Sequence, residues 1–184
     1  MAVAYGQMGI HVREEYIVLG LDPGRDKTGF AFVDSEGRLI VSGIFPSGES
    51  ERFFAAVRAV FSDGSTSLNS NTDTLSEFII EQFSAFPENL STALKFIAIG
   101  NGTYSKSCTL QVRNIFTCKV LTVDEHNTTL EARGLYWKLH KPNFWMRLIP
   151  EGLRVPSRVL DDLAAWAIAL RGLKKYRDIN QNRL

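Results

Sequence analysis

The sequence predicts an α/β protein with a mixed five-stranded sheet: an antiparallel meander of strands 1 to 3, then parallel strands 4 and 5, with helices on both faces. Two observations predict it. Residues 16 to 46 hold three apolar runs separated by turn chemistry, and residues 95 to 176 alternate strand-length apolar runs with helical periodicity. A third observation bounds the size: 184 residues suffice for one domain with a sizeable core and are short for two.

The elements follow in order. Residues 1 to 15 form a lead-in to which no function is assigned, and a single domain is expected over 16 to 178. Strands at 16 to 21, 28 to 33 and 38 to 45 are divided by Asp22-Pro23-Gly24-Arg25 and by Asp34-Ser35-Glu36-Gly37, both turn-forming. Phe53, Phe54, Val57, Val60 and Phe61 then recur at helical spacing, which predicts an amphipathic helix over 50 to 61. The polar stretch at 62 to 74 has almost nothing to bury and reads as a loop insertion. A second helix is expected at 75 to 86, ended near Pro87. After it come a strand at 95 to 99, a helix at 105 to 116, a strand at 119 to 123, a helix at 128 to 140, an irregular stretch, and a last helix from 157 to 176. Strands joined through helices imply parallel pairing.

Composition narrows the function classes. Apolar residues make up 45% and charged residues 22%, as in ordinary globular proteins. The net charge of +1 gives no whole-molecule attraction to nucleic acid, so any basic surface is local. The chain shows neither a secretion signal nor an apolar run near ~20 residues, and a cytoplasmic location is the expectation. Cys108 and Cys118 lack metal-ligand spacing and read as reduced, buried thiols.

The chemistry gathers around acidic residues. A carboxylate delivered by a buried strand into a tight turn costs desolvation energy, and Asp22 is such a residue. Asp124-Glu125 ends another apolar run, and Asp161-Asp162 heads an alanine-rich helix. In a parallel α/β sheet the functional edge lies beyond the carboxyl ends of the strands, where Asp22 and Asp124-Glu125 would converge. Three carboxylate groups there suit a divalent metal and phosphodiester hydrolysis. Helical phase puts Asp161 on one face with Ala164, Ala165, Ile168 and Gly172, a small-residue face able to pack closely on a sheet. Asp161 is therefore the expected ligand. Asp162 is a further metal-site candidate or a complement to the helix N-terminus.

Other segments suit phosphate. The turn Gly100-Asn101-Gly102-Thr103 follows a strand and opens a helix containing Lys106, so its backbone N–H groups could meet an anion. A Walker A loop is absent, because Asp26 stands where the glycine before Lys27-Thr28 would be. Between 133 and 158, Arg133, Lys138, Lys141, Arg147, Arg154 and Arg158 face only Glu151, with Tyr136, Trp137, Phe144 and Trp145 interleaved. Cations for phosphates and rings for stacking are what a nucleic-acid groove needs. Candidate nucleic-acid contacts are Gly24, Arg25, Lys27, Asn101, Gly102, Thr103, Lys106, Thr128, Lys138, Lys141, Arg147, Arg154 and Arg158.

With these residues in hand, the chain resembles the YqgF/RuvX family of RNase H-like nucleases, relatives of the Holliday-junction resolvases. The family's first strand ends Asp-x-Gly, as does Leu19-Gly20-Leu21-Asp22-Pro23-Gly24. Its middle motif is similar to Val123-Asp124-Glu125-His126-Asn127-Thr128-Thr129-Leu130-Glu131-Ala132, and its last, Asp-x-x-Ala-Ala, to Asp161-Asp162-Leu163-Ala164-Ala165. The three stand in family order, and the resemblance spans residues 16 to 175. It implies an RNase H-like fold, with Asp22, Glu125 and Asp161 catalytic and holding two Mg²⁺ or Mn²⁺ ions, Asp22 bridging them. It also implies cleavage of structured nucleic acid, either maturation of the 5′ end of precursor 16S ribosomal RNA or cutting of branched DNA. A resolvase would act as a homodimer, since two sites cut two strands, and an RNA-processing nuclease could act as a monomer. His126 stands where the family has arginine, and the Gly-Asn-Gly-Thr turn is more like that of the Tex transcription-associated proteins.

Two other classes compete with this expectation. A nucleic-acid-binding module that has lost turnover, serving ribosome assembly or transcription, predicts binding without cleavage. An actin-like or sugar-kinase-like ATPase also opens with Asp-x-Gly, but needs two such domains, and these 184 residues hold no repeated Asp-x-Gly strand.

Overall fold

The computed structural model describes residues 15–62, 74–84, 94–150 and 153–182. The lead-in up to residue 14 and the polar stretch at 63–73 lie outside the described residues. Six strands form one sheet: β1 (Ile17–Pro23), β2 (Lys27–Asp34), β3 (Leu39–Pro46), β4 (Ile79–Gln82), β5 (Leu94–Gly100) and β6 (Lys119–Val123). Their order is β4-β3-β2-β1-β5-β6. β1 pairs antiparallel with β2 and parallel with β5, so β1 is the seam between the two halves. The helices are α1 (Ser50–Ser62), α2 (Ser105–Ile115), α3 (Thr128–Leu139), α4 (Phe144–Arg147) and α5 (Asp161–Gln181).

The sheet has six strands rather than the expected five. The segment expected as a helix at 75 to 86 is one helical turn at 74–76 followed by β4, antiparallel to β3. Leu75, Phe78 and Ile79 are spaced as on a helix, which is why the sequence misleads. β3 otherwise presents an unpaired edge, and Ile44 N–H to Phe78 O and Phe83 N–H to Ile40 O satisfy it. Strand pairing overrides local spacing here. Two smaller differences concern the last third. The stretch expected to be irregular contains α4, capped by the Asn143 side chain accepting from Met146 N–H at 2.9 Å. The last helix starts at Asp161 and not at 157, which places both aspartates in its first turn.

The two faces of the sheet are packed differently. Ile17, Leu19 and Leu21 of β1 and Phe30 and Phe32 of β2 join α1 through Phe53, Phe54 and Val57, and α2 through Val112. Phe45 stacks on Phe53 at 4.1 Å between centroids, and Phe30 lies 4.7 Å from Phe53. Each such ring, fully buried, contributes roughly 1.5–3 kcal/mol of transfer free energy. On the opposite face Val18, Ala31, Val33, Phe96 and Ala98 meet α5 and α3 through Leu163, Ala165, Ile168, Ala169 and Ala132. Alternation along a strand sends odd residues of β1 to the first face and even residues to the second. Gly20 belongs to the second, and a Cβ there would lie 2.2 Å from the Ala165 carbonyl oxygen. A Cβ on Gly172 would lie 2.6 Å from that of Ala98. Helix α5 therefore sits closer to the sheet than a bulkier residue at either glycine would allow.

Cys108 and Cys118 are free thiols, and burial pushes their pKa values up to about 12 and about 11, leaving them protonated and unreactive. Among the described residues no helix is long and apolar enough to cross a membrane.

Candidate metal centre

Asp22 is the next even residue of β1 after Gly20, so it points to the α5 side at the carboxyl end of the central strand. Its neighbours on both sides are glycines. Across the antiparallel ladder it pairs with Gly29, where a Cβ would stand 2.0 Å from the Asp161 carbonyl oxygen. On the parallel side, one step past the Leu21 to Ile99 pair, comes Gly100, where a Cβ would stand 2.8 Å from Glu125 Oε2. The glycine in β2 admits the start of α5, and the glycine in β5 admits the carboxylate that follows β6. Asp161 and Glu125 thereby flank Asp22 from opposite sides.

The electrostatics register this convergence. The Asp22 carboxyl is raised from its ordinary 3.8 to about 6, first by burial and then by the charges of Glu125 and Asp161. Repulsion among three carboxylates is the signature of a site short of positive charge. One cation meets them: Lys27 Nζ stands 2.5 Å from Asp161 Oδ2. That oxygen is buried, and the ammonium is paired with it as its counter-charge.

Glu125 is held by its backbone. Its N–H donates to Asn101 Oδ1 at 3.1 Å, and its carbonyl accepts from the Thr128 hydroxyl at 2.9 Å. Arg171 of α5 reaches over this loop and donates to the Asp124 and His126 carbonyls on either side of Glu125, with Glu131 as its ion-pair partner. The Gly100-Asn101-Gly102 turn, expected from sequence to suit phosphate, lies against the Glu125 side chain: a Cβ on Gly102 would fall 2.4 Å from Glu125 Oε1. Arg171 was not singled out in the sequence. With Lys175 it extends the Ala164-Ile168 stripe of α5 at spacings of three and four, and that cationic continuation of an apolar stripe is the signal that could have found it.

Asp162 is taken up elsewhere. It is wholly buried, and its oxygens accept from both terminal nitrogens of Arg158, at 2.7 and 3.0 Å, and from the Ser42 hydroxyl at 2.9 Å. Arg158 continues to Glu81 of β4 at 2.9 Å, and Glu81 to His140 Nε2 at 2.9 Å. A charge buried this deeply needs such partners. The network pins the first turn of α5 to β3 and β4, and Asp161 is the neighbouring residue on the other side of that turn.

The remaining candidate contacts are dispersed. Arg25 is largely exposed beside Asp26, and Gly24 accepts from the Ser47 hydroxyl in the same turn region. Thr103, Lys106, Lys138 and Lys141 are exposed. Arg147 and Arg154 donate to the carbonyls of Pro142 and Ile149, which braces the α4 region while Phe144 and Trp145 stay 70% and 74% exposed. Arg158 faces Asp162 and Glu81, and Thr128 faces Glu125.

The donor set, three carboxylates and no thiolate or imidazole, suits a hard divalent cation such as Mg²⁺ or Mn²⁺. The buried oxygen of Asp161 with an ammonium against it fits a position for positive charge. Among the described residues, no three His, Cys, Asp or Glu side chains are already drawn together so as to hold an ion, and Lys27 occupies Asp161. No family model matches this chain and no curated protein matches it, so the YqgF/RuvX resemblance rests on its three motifs alone.

Proposed function

We propose that the chain is a metal-dependent endonuclease of the RNase H-like class, acting on structured nucleic acid. The observation that supports this best is the pair of glycines beside Asp22, which let Asp161 and Glu125 approach it from distant segments. The sheet order supports the fold: strands β3-β2-β1-β5-β6 follow the RNase H-like arrangement, with β4 added at the antiparallel edge.

Asp22, Glu125 and Asp161 would hold two Mg²⁺ or Mn²⁺ ions. Bound there, the ions supply an activated water and neutralise the leaving oxygen of the phosphodiester. The chain's own part is placement. Asn101, Thr128 and Arg171 fix the loop that presents Glu125, and the Arg158-Asp162-Ser42 network fixes the turn that presents Asp161. Exposed Arg25 and Thr103 lie in the turns that follow β1 and β5, and exposed Lys106 in the first turn of α2, suited to the phosphates of the strand. Trp145 and Phe144 offer faces on which unpaired bases can stack.

The test pairs two substrates, a precursor 16S rRNA fragment and a synthetic four-way DNA junction, each with Mg²⁺ or Mn²⁺. Cutting of one, lost in Asp22→Asn with the fold intact by circular dichroism, is the expected result and names the substrate. Wild-type activity in Asp22→Asn would end this reading.

One observation favours a second reading, a nucleic-acid-binding module without turnover. The contact of Lys27 with Asp161 neutralises part of the acidic cluster by itself, as a structural ion pair would. That module would bind either substrate and cut neither.

A further inference from the structure

The cations near the site are divided among different partners. Arg25 lies beside Asp26, Arg158 on Asp162 and Glu81, and Arg171 on Glu131 and the carbonyls flanking Glu125. Lys27 alone in this group is placed against one of the three converging carboxylates. It opens β2 with the same parity as Gly29 and Ala31, so strand alternation commits its side chain to the α5 side. The contact is not a locked one. The Lys27 side chain is 43% exposed and that of Asp161 34%, so the ammonium can swing to solvent on its flexible stem.

We propose that Lys27 is a resident counter-ion of Asp161 that withdraws when a divalent cation binds, so that metal uptake is an exchange of one cation for another. This rests on the metal-centre reading above and adds a residue that sets the affinity of that centre. Lys27 sets a positive charge against Asp161, one of the two carboxylates that raise Asp22. On metal binding its ammonium is released at the mouth of the site, beside the turn bearing Arg25, where a substrate phosphate would lie. A lysine suits the exchange because its ammonium holds a carboxylate as a point charge, whereas an arginine would grip it through two hydrogen bonds.

The experiment is a Mn²⁺ titration of the full chain, read as free Mn²⁺ by electron paramagnetic resonance, on wild type, Lys27→Met, Lys27→Arg and Asp22→Asn. The expected result is opposite shifts: Lys27→Met binds Mn²⁺ about 3–10-fold more tightly and Lys27→Arg more weakly than wild type, in line with the modest strength of a half-exposed ion pair. Equal or weaker binding by Lys27→Met, with wild-type binding intact and lost in Asp22→Asn, would overturn the exchange and leave the metal centre standing. Absence of saturable binding in wild type would overturn both. Should Lys27→Met not fold, tighter or unchanged binding by Lys27→Arg would overturn the exchange on its own.

Discussion

One face of the sheet is packed with phenylalanine and the other with glycine and alanine. On the α1 side, Phe30, Phe45, Phe53 and Phe54 fill the space between helix and sheet with large rings. On the α5 side, Gly20, Gly29 and Gly172 remove side chains so that backbone approaches backbone. Large side chains bury more apolar surface, and glycines sacrifice it while costing about 0.5–1 kcal/mol each in chain entropy. The face that sacrifices stability is the one to which Asp22, Glu125 and Asp161 belong. Adhesion and placement are therefore assigned to opposite sides of one sheet, and small residues mark the side where atoms must meet.

Three perturbations would break or sharpen this division. The largest effect is expected from Phe53→Ala, which should cost about 3–5 kcal/mol in urea unfolding while the folded protein keeps its Mn²⁺ affinity. Equal loss of metal affinity would show that the two faces are not separable. Gly29→Ala should cost about 1–3 kcal/mol, because its methyl would overlap the Asp161 carbonyl, yet weaken Mn²⁺ binding more than Phe53→Ala does. The smallest effect concerns pH. The folded Asp22 carboxyl is raised from 3.8 to about 6, so the folded state holds its proton more tightly than the unfolded state. Stability contributed by this group is present at low pH and is lost as pH rises through about 6. Without metal, Asp22→Asn should therefore be more stable than wild type by on the order of 1–2 kcal/mol at neutral pH, allowing for solvent screening, and should gain nothing near pH 4. Parallel unfolding curves at both pH values would deny that burial and the neighbouring carboxylates raise Asp22.

Much of this arrangement was legible in the sequence. The turns after Leu21 and Asp34 gave the meander, and helical phase placed Asp161 with Ala165 and Gly172 on the face that meets the sheet. What escaped was settled by tertiary contacts. Phe78 and Ile79 are spaced as on a helix and become strand because β3 needed an edge partner. Asn101 and Gly102 are legible as a turn able to meet an anion; in the fold Gly102 lies against the Glu125 carboxylate, and Asn101 Oδ1 accepts from the Glu125 backbone N–H. Lys27 and Arg158 were read as contacts for phosphate, and both face aspartates at the head of α5. A basic residue advertises its charge in the sequence but not its partner, since that partner is brought near only by the completed fold.

The tight docking of α5 also orders events in time. Asp22 leaves the ribosome among the first residues of the sheet, and Asp161 among the last of the domain. Strands β1 to β6 can pair before α5 exists, but with Gly29 facing open space Asp22 has only Glu125 beside it. Chains made from the N-terminus can thus acquire the α1-side core before both the α5-side core and the acidic centre. The centre is completed only when the final helix docks, so an unfinished chain holds Asp22 and Glu125 without Asp161.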